Sequence, residues 1–142
     1  MNTRTASARY EGLGKDGKGW VSTGSGVLSE QPYGFGARFG DETGTNPEEL
    51  VAAAHASCFT MALSFALARE GLVEGRLETT ARVKLEKDGD GFSVTRSDLS
   101  LDATVAGIDE ARFREVADGA KAGCPISKLL NAEISLEIRF SG

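Results

Sequence analysis

The distribution of apolar and polar positions divides the chain into stretches of different period. From Leu50 to Ala68 no residue carries a formal charge at neutral pH. Apolar or small side chains fall on every face of the helix that this length predicts. Both ends of that helix are marked. Asn46 is placed to accept an orphan backbone N–H, Pro47 suits the first helical position, Glu49 completes a capping-box pattern, and Gly71 supplies a closing left-handed residue. Ahead of it, Thr5–Tyr10, Trp20–Thr23 and Ser25–Ser29 read as short strands, and the segment from Gln31 to Phe39 as a turn followed by a strand carrying aromatics. Behind it, Leu77–Leu85 and Phe92–Val105 alternate with period two around a turn at 87–91, which predicts a long hairpin with one wet and one buried face. Asp109 then caps an amphipathic helix with Phe113, Val116, Ala117 and Ala120 on one stripe, ending at Gly123. Pro125 opens a short helical turn reaching Leu130, and Glu133–Phe140 is a last strand. The order βββ, α, ββ, α, β with mainly hairpin pairings indicates an α+β fold. It combines antiparallel sheets, a long buried central helix and a second amphipathic helix, in a single domain spanning 1–142.

The uncharged helix is long enough to raise a membrane span, but it is dominated by Ala and interrupted by His55, Ser57, Thr60 and Ser64. It reads as a helix covered by protein, with no membrane partner. One small domain has limited means to cover a helix on all sides, so a homodimer is expected, with the small residues packed closely against a two-fold mate. A net charge of −5 without any cluster of Lys or Arg argues against nucleic acid and anionic membranes. The first ten residues lack an apolar signal core, and a cytoplasmic location is the expectation. The GxGxxG spacing at Gly12, Gly14 and Gly17 leads into a strand rather than a helix, so it reads as a turn and not as a phosphate loop.

Two cysteines are too few for a disulfide scaffold, and in a reducing compartment they would stay thiols unless they do chemistry. Cys124 flanks the N–H groups that open the Pro125 turn, with Lys121 and Lys128 near in sequence, and these should lower its pKa. Cys58 lies mid-helix among apolar residues, where burial raises a thiol pKa, and it needs a cation brought from elsewhere. His55 sits on the same side of the helix. With Cys58 it could form a hydrolase nucleophile, and with both cysteines a metal site. The first lacks an orienting partner for the histidine and the second a fourth ligand. The expectation is therefore no metal, with His55 a hydrogen-bonded, partly buried residue at a dimer or sheet contact. A non-catalytic protein for hydrophobic small molecules, with Cys58 lining the pocket, is a further reading. Tyr33, Phe35, Phe39 and Phe59 would form apolar walls, and Arg38 would lie over them.

The stretches Thr45-Asn46-Pro47-Glu48-Glu49-Leu50, Ala53-Ala54-His55-Ala56-Ser57-Cys58-Phe59-Thr60-Met61-Ala62 and Ala120-Lys121-Ala122-Gly123-Cys124-Pro125-Ile126-Ser127 together resemble the OsmC/Ohr family. Gln31-Pro32-Tyr33-Gly34-Phe35 and Arg38 resemble its OsmC branch. The resemblance implies an intertwined homodimer and a thiol-dependent peroxidase that reduces organic hydroperoxides, and hydrogen peroxide less well, in oxidative or osmotic stress defence. It implies Cys58 as the peroxide-attacking thiol, Cys124 as the thiol that resolves it as a disulfide, and Arg38 held by Glu48 as the support of the thiolate. It also implies no bound cofactor, and an external dithiol reductant such as dihydrolipoamide on a lipoylated protein. Glu48 and Cys58 would lie about 15 Å apart along an ideal helix, so Glu48 would steer an arginine without touching the sulfur.

Overall fold

In the computed structural model, which describes residues 2–142, the capped helix is α2, Pro47–Arg69. The Glu49 N–H donates to Asn46 Oδ1 at 2.8 Å, so Asn46 is the cap that its amide side chain predicts. The reciprocal half of the capping box goes elsewhere. Glu49 Oε1 accepts the Thr45 hydroxyl at 2.7 Å, and Asn46 Nδ2 donates to the Ala37 carbonyl. At the other end Gly71 has φ +88°, its N–H donates to the Ala68 carbonyl, and the Leu72 N–H donates to that of Leu67. These two bonds form a Schellman closure, which a residue with a Cβ would strain. The chain falls into two compact units, residues 1–50 and 51–142; α2 starts in the first and continues through the second.

In the first unit, β1 (Ala6–Glu11), β2 (Lys18–Thr23) and β3 (Gln31–Tyr33) form an antiparallel sheet in that order. The glycine-rich segment between β1 and β2 is a turn containing a short 3-10 stretch at Gly14–Asp16, as its context predicts. Two expectations fail here. Ser25–Ser29 is a loop, tied by the Gly26 N–H on the Thr23 carbonyl and the Leu28 N–H on the Thr23 hydroxyl. The aromatic segment expected as a strand is the helix α1, Phe35–Phe39. The four-residue spacing of Phe35 and Phe39 brings their rings to 5.0 Å on one helical face, and the Arg38 N–H closes the turn on the Gly34 carbonyl. Among the described residues of this unit only Gly19 is buried, and all six residues of β1 are exposed. A three-stranded sheet with so little burial needs cover from elsewhere.

The second unit contains the hairpin β4 (Gly75–Asp88) and β5 (Gly91–Val105), then α3 (Glu110–Gly123), α4 (Pro125–Leu129) and β6 (Glu133–Ser141). Asp109 caps α3 by accepting the Arg112 N–H. Strand β6 pairs with β5 in parallel, because the helices between them carry the chain back to the starting edge before it re-enters the sheet. The α+β class holds, with one parallel pairing added to the expected hairpin. Leu99, Leu101, Ala103 and Val105 point from β5 into a core completed by Phe59, Leu63 and Leu67 of α2 and Phe113, Ala117 and Ala120 of α3. Each large side chain buried there contributes roughly 1.5–3 kcal/mol.

Only one line of α2 is covered: His55, Phe59, Leu63 and Leu67 are buried, whereas Met61 and Phe65 remain 61% and 62% exposed. The helix is long and apolar enough to cross a bilayer by length and composition, yet its buried line belongs to this core. A single chain thus leaves much of its uncharged surface open.

Candidate functional site

In the first unit the site residues gather where α1 meets the start of α2. Arg38, in the last turn of α1, donates from Nε to Glu48 Oε1 at 2.8 Å and from Nη2 to Oε2 at 3.1 Å. This fork fixes the plane of the guanidinium, and charge-assisted bonds of this kind are about twice as strong as neutral ones. Glu48 also lies in the first turn of α2, where a carboxylate complements the helix dipole. The Arg38 Cζ stands 5.4 Å from the centre of the Phe39 ring. A cleft of about 380 Å³ opens here, lined by Tyr10, Tyr33, Phe35, Arg38, Phe39 and Pro47 among others. It is an apolar groove with one guanidinium in its wall.

In the second unit the two thiols meet. Cys58 on α2 is half-buried, Cys124 at the junction of α3 and α4 is fully buried, and the two thiols lie near enough to shift one another's ionisation. Burial pushes the Cys58 thiol up, and the neighbouring Cys124 adds to the rise. Burial also pushes Cys124 up, but the Cys58 thiol, the Ser127 backbone N–H and hydroxyl, and the Ile126 N–H together outweigh it, so Cys124 is the more acidic of the pair. The effect expected from the α4 N–H groups is present. Lys121 is directed instead to the Ile134 carbonyl, at 3.5 Å.

His55 is fully buried beside them. Its Nδ1 is 2.6 Å from Ser97 Oγ on β5 and its Nε2 is 2.8 Å from Ser127 Oγ on α4, and burial holds its pKa below the usual imidazole value. Both ring nitrogens are thus taken by serines, and neither is left to activate Cys58 or bind a metal. The expected sheet contact is realised, and it is completely rather than partly buried. Among the described residues no three His, Cys, Asp or Glu side chains converge in a ligand cluster.

Tyr33, Phe35 and Phe39 line the Arg38 cleft as their clustering in sequence predicts. Phe59 does not line a pocket. It is 0% exposed in the core of the second unit, because it repeats at four-residue intervals with His55, Leu63 and Leu67 on the buried side of α2. Tyr10 joins the cleft from β1 without having been singled out, and Ser97 and Ser127 were equally hidden among ordinary serines. The alternation that places Leu99, Leu101, Ala103 and Val105 inward also places Ser97 inward, which is the signal that could have found it.

The chain resembles characterised proteins over nearly its whole length. It is 51% identical over 137 residues to the peroxiredoxin OsmC of Escherichia coli (strain K12), covering 96% of each. It is 32% identical over 125 residues to the organic hydroperoxide resistance protein OhrB of Bacillus subtilis (strain 168), covering 85% of this chain and 89% of that one. The crystal structure of Bacillus subtilis OhrB superposes with a TM-score of 0.72 at 30% identity, over 97% of this chain and 98% of that one. Residues 40–139 match the family model described as OsmC-like protein, and on these grounds the chain belongs to the OsmC family.

Proposed function

We propose that the protein is a thiol-dependent peroxidase that reduces organic hydroperoxides, and hydrogen peroxide less well, as a homodimer in a reducing compartment such as the cytoplasm. The observation that carries this reading is the neighbouring pair of free thiols Cys58 and Cys124, in a chain whose relatives are named for peroxide chemistry.

The Cys58 thiolate attacks one peroxide oxygen, the O–O bond breaks, and the alkoxide leaves as the alcohol after taking up a proton. Cys58 is then a sulfenic acid. The Cys124 thiolate attacks its sulfur, the S–S bond forms, the S–O bond breaks, and hydroxide leaves as water. A dithiol, such as dihydrolipoamide on a lipoylated protein, reduces the disulfide by exchange and is itself oxidised to a disulfide. No metal or bound cofactor enters. Arg38, its plane fixed by Glu48, is assigned the positive charge that Cys58 requires to ionise ahead of Cys124, and the hydrogen bonds that stabilise charge on the departing oxygen. Tyr33, Phe35 and Phe39 supply apolar walls for an alkyl group.

The exposure of Met61, Phe65 and β1 supports the homodimer, since a second copy would cover apolar surface that one chain leaves to water. Phe65→Asp is expected to shift the solution mass towards the monomer. The enzymatic reading is tested by counting free thiols before and after one equivalent of cumene hydroperoxide. Loss of both thiols, reversed by a dithiol, is expected; retention of both would remove the peroxidase reading and favour a non-catalytic binding protein.

A further inference from the structure

The motif that the peroxidase chemistry leaves unused is the glycine turn between β1 and β2. Gly12 and Gly14 have φ of +76° and +75°, where a side chain would be strained, and Gly17 packs so closely on Tyr10 that a Cβ there would run into the ring. The Tyr10 hydroxyl donates to the Gly14 carbonyl at 2.7 Å, and the Gly17 N–H donates to the same oxygen at 3.2 Å. Tyr10 in turn meets Tyr33 edge to face, with ring centres 6.2 Å apart. The turn is therefore pinned to an aromatic wall of the Arg38 cleft, and Lys15, at its tip, lines that cleft together with Tyr10 and Tyr33.

The chain carries a net charge of −5, yet the two charged residues that line the cleft, Arg38 and Lys15, are both cations. They differ in what compensates them. Arg38 is held by the Glu48 carboxylate through two bonds. Lys15 forms no hydrogen bond or ion pair among the described residues. An apolar groove with an uncompensated cation in its wall complements an amphiphile that carries an anionic group. A phosphate site of this glycine spacing draws its donors from a helix that opens at the glycines, whereas this turn runs into β2; a single ammonium on a flexible stem matches a carboxylate.

We propose that Lys15 is a specificity-determining residue: placed at the cleft by the glycine turn, it binds the carboxylate of an alkyl hydroperoxide whose chain lies on Tyr33, Phe35 and Phe39 and whose peroxide group lies at Arg38. The assignment rests on the peroxidase reading given above and deepens it, by naming as substrate a hydroperoxide that also carries a carboxylate. Lys15 takes no part in bond breaking. The carboxylate leaves unchanged on the product alcohol.

Linoleic acid hydroperoxide and its methyl ester differ by the one charge in question, and the corresponding alcohols bind without reacting. Calorimetric Kd values for the two alcohols on the full chain, below their micelle concentrations, and kcat/KM for the two hydroperoxides give an acid-to-ester preference by independent routes. Lys15→Gln is expected to lower that preference about fivefold by both, the size of an exposed ion pair, and Lys15→Glu to lower it further. Lys15→Arg, which keeps the charge, should retain it. Lys18→Gln removes the same charge from an exposed residue that does not line this cleft, and should also retain it. The contribution of Lys15 should fade as salt is raised towards about 1 M. A preference unmoved by Lys15→Gln, or lowered equally by Lys18→Gln, overturns the assignment. If the parent chain consumes neither these hydroperoxides nor cumene hydroperoxide, the peroxidase reading fails while calorimetry on the alcohols still decides the role of Lys15.

Discussion

Truncating Phe59 to alanine distinguishes a core residue from a substrate contact. The side chain is 0% exposed and packs within the cluster that includes Leu63, Leu99 and Phe113. Removing a fully buried phenyl ring costs about 3–5 kcal/mol, from lost transfer free energy and from the cavity that remains. Against a total stability of roughly 5–15 kcal/mol this is a large fraction. At about 3 °C per kcal/mol for a chain of this length, the midpoint of thermal unfolding should fall by about 12 °C. Calorimetry or urea denaturation measures the loss directly, and the rate ratio between cumene hydroperoxide and hydrogen peroxide, taken well below the new midpoint, should stay near that of the parent. Phe35→Ala makes the opposite pattern. Phe35 is 46% exposed in the cleft, so its loss costs little beyond the stacking on Phe39, worth about 0.5–1.5 kcal/mol, while the rate ratio changes. A Phe59→Ala variant with an unchanged midpoint and an altered rate ratio would refute the core assignment.

The apolar cleft beside Arg38 should favour alkyl hydroperoxides, since each methylene buried from water contributes about 0.8 kcal/mol, near fourfold in kcat/KM; equal kcat/KM for cumene hydroperoxide and hydrogen peroxide would contradict it. Glu48→Gln removes one charge from the fork on Arg38 and should slow sulfenic acid formation by about tenfold in single-turnover kinetics without changing the thiol count, a hydrogen bond to a charged group being worth about 1.5–3 kcal/mol; an unchanged rate would leave Glu48 as a helix-end charge only. His55 is the one histidine of the chain, and burial lowers its folded pKa, so on acidification the unfolded chain takes up a proton that the folded state refuses. Its contribution is complete above the ordinary imidazole value and declines as pH falls below about 6.5, at up to about 1.4 kcal/mol per pH unit. His55→Gln should flatten that limb of the stability profile measured in urea, and an identical slope would show that His55 is not its source.

The parts of the fold that local chemistry determines were legible in the sequence. Asn46, Gly71 and Asp109 mark helix ends through bonds with their own neighbours, Pro47 through its fixed φ, and the β4–β5 hairpin follows from alternation around a glycine turn. What was hidden depends on partners distant in sequence. Phe35 and Phe39 fit a strand or a helix until their rings meet, and the parallel entry of β6 is set by the helices before it. Phe59 looked like a pocket wall because it neighbours Cys58, yet neighbours on a helix face different directions. Ser97 and Ser127 acquire meaning only through His55. The two thiols were found by their motifs, but their nearness and the lower pKa of Cys124 depend on where α4 meets α2.

That lower pKa sets the most direct test of the account, because the neighbouring Cys58 thiol and the α4 N–H groups favour Cys124 as thiolate against its burial, while the proposed chemistry begins at Cys58. Peroxide consumed per chain should be counted for Cys58→Ser and Cys124→Ser after mixing with one equivalent of cumene hydroperoxide in the absence of reductant. Cys58→Ser is expected to consume none, whereas Cys124→Ser consumes one equivalent and leaves a sulfenic acid that a dimedone probe traps at Cys58. Consumption of one equivalent by Cys58→Ser and none by Cys124→Ser would reverse the two roles and contradict the assignment of Arg38 to Cys58.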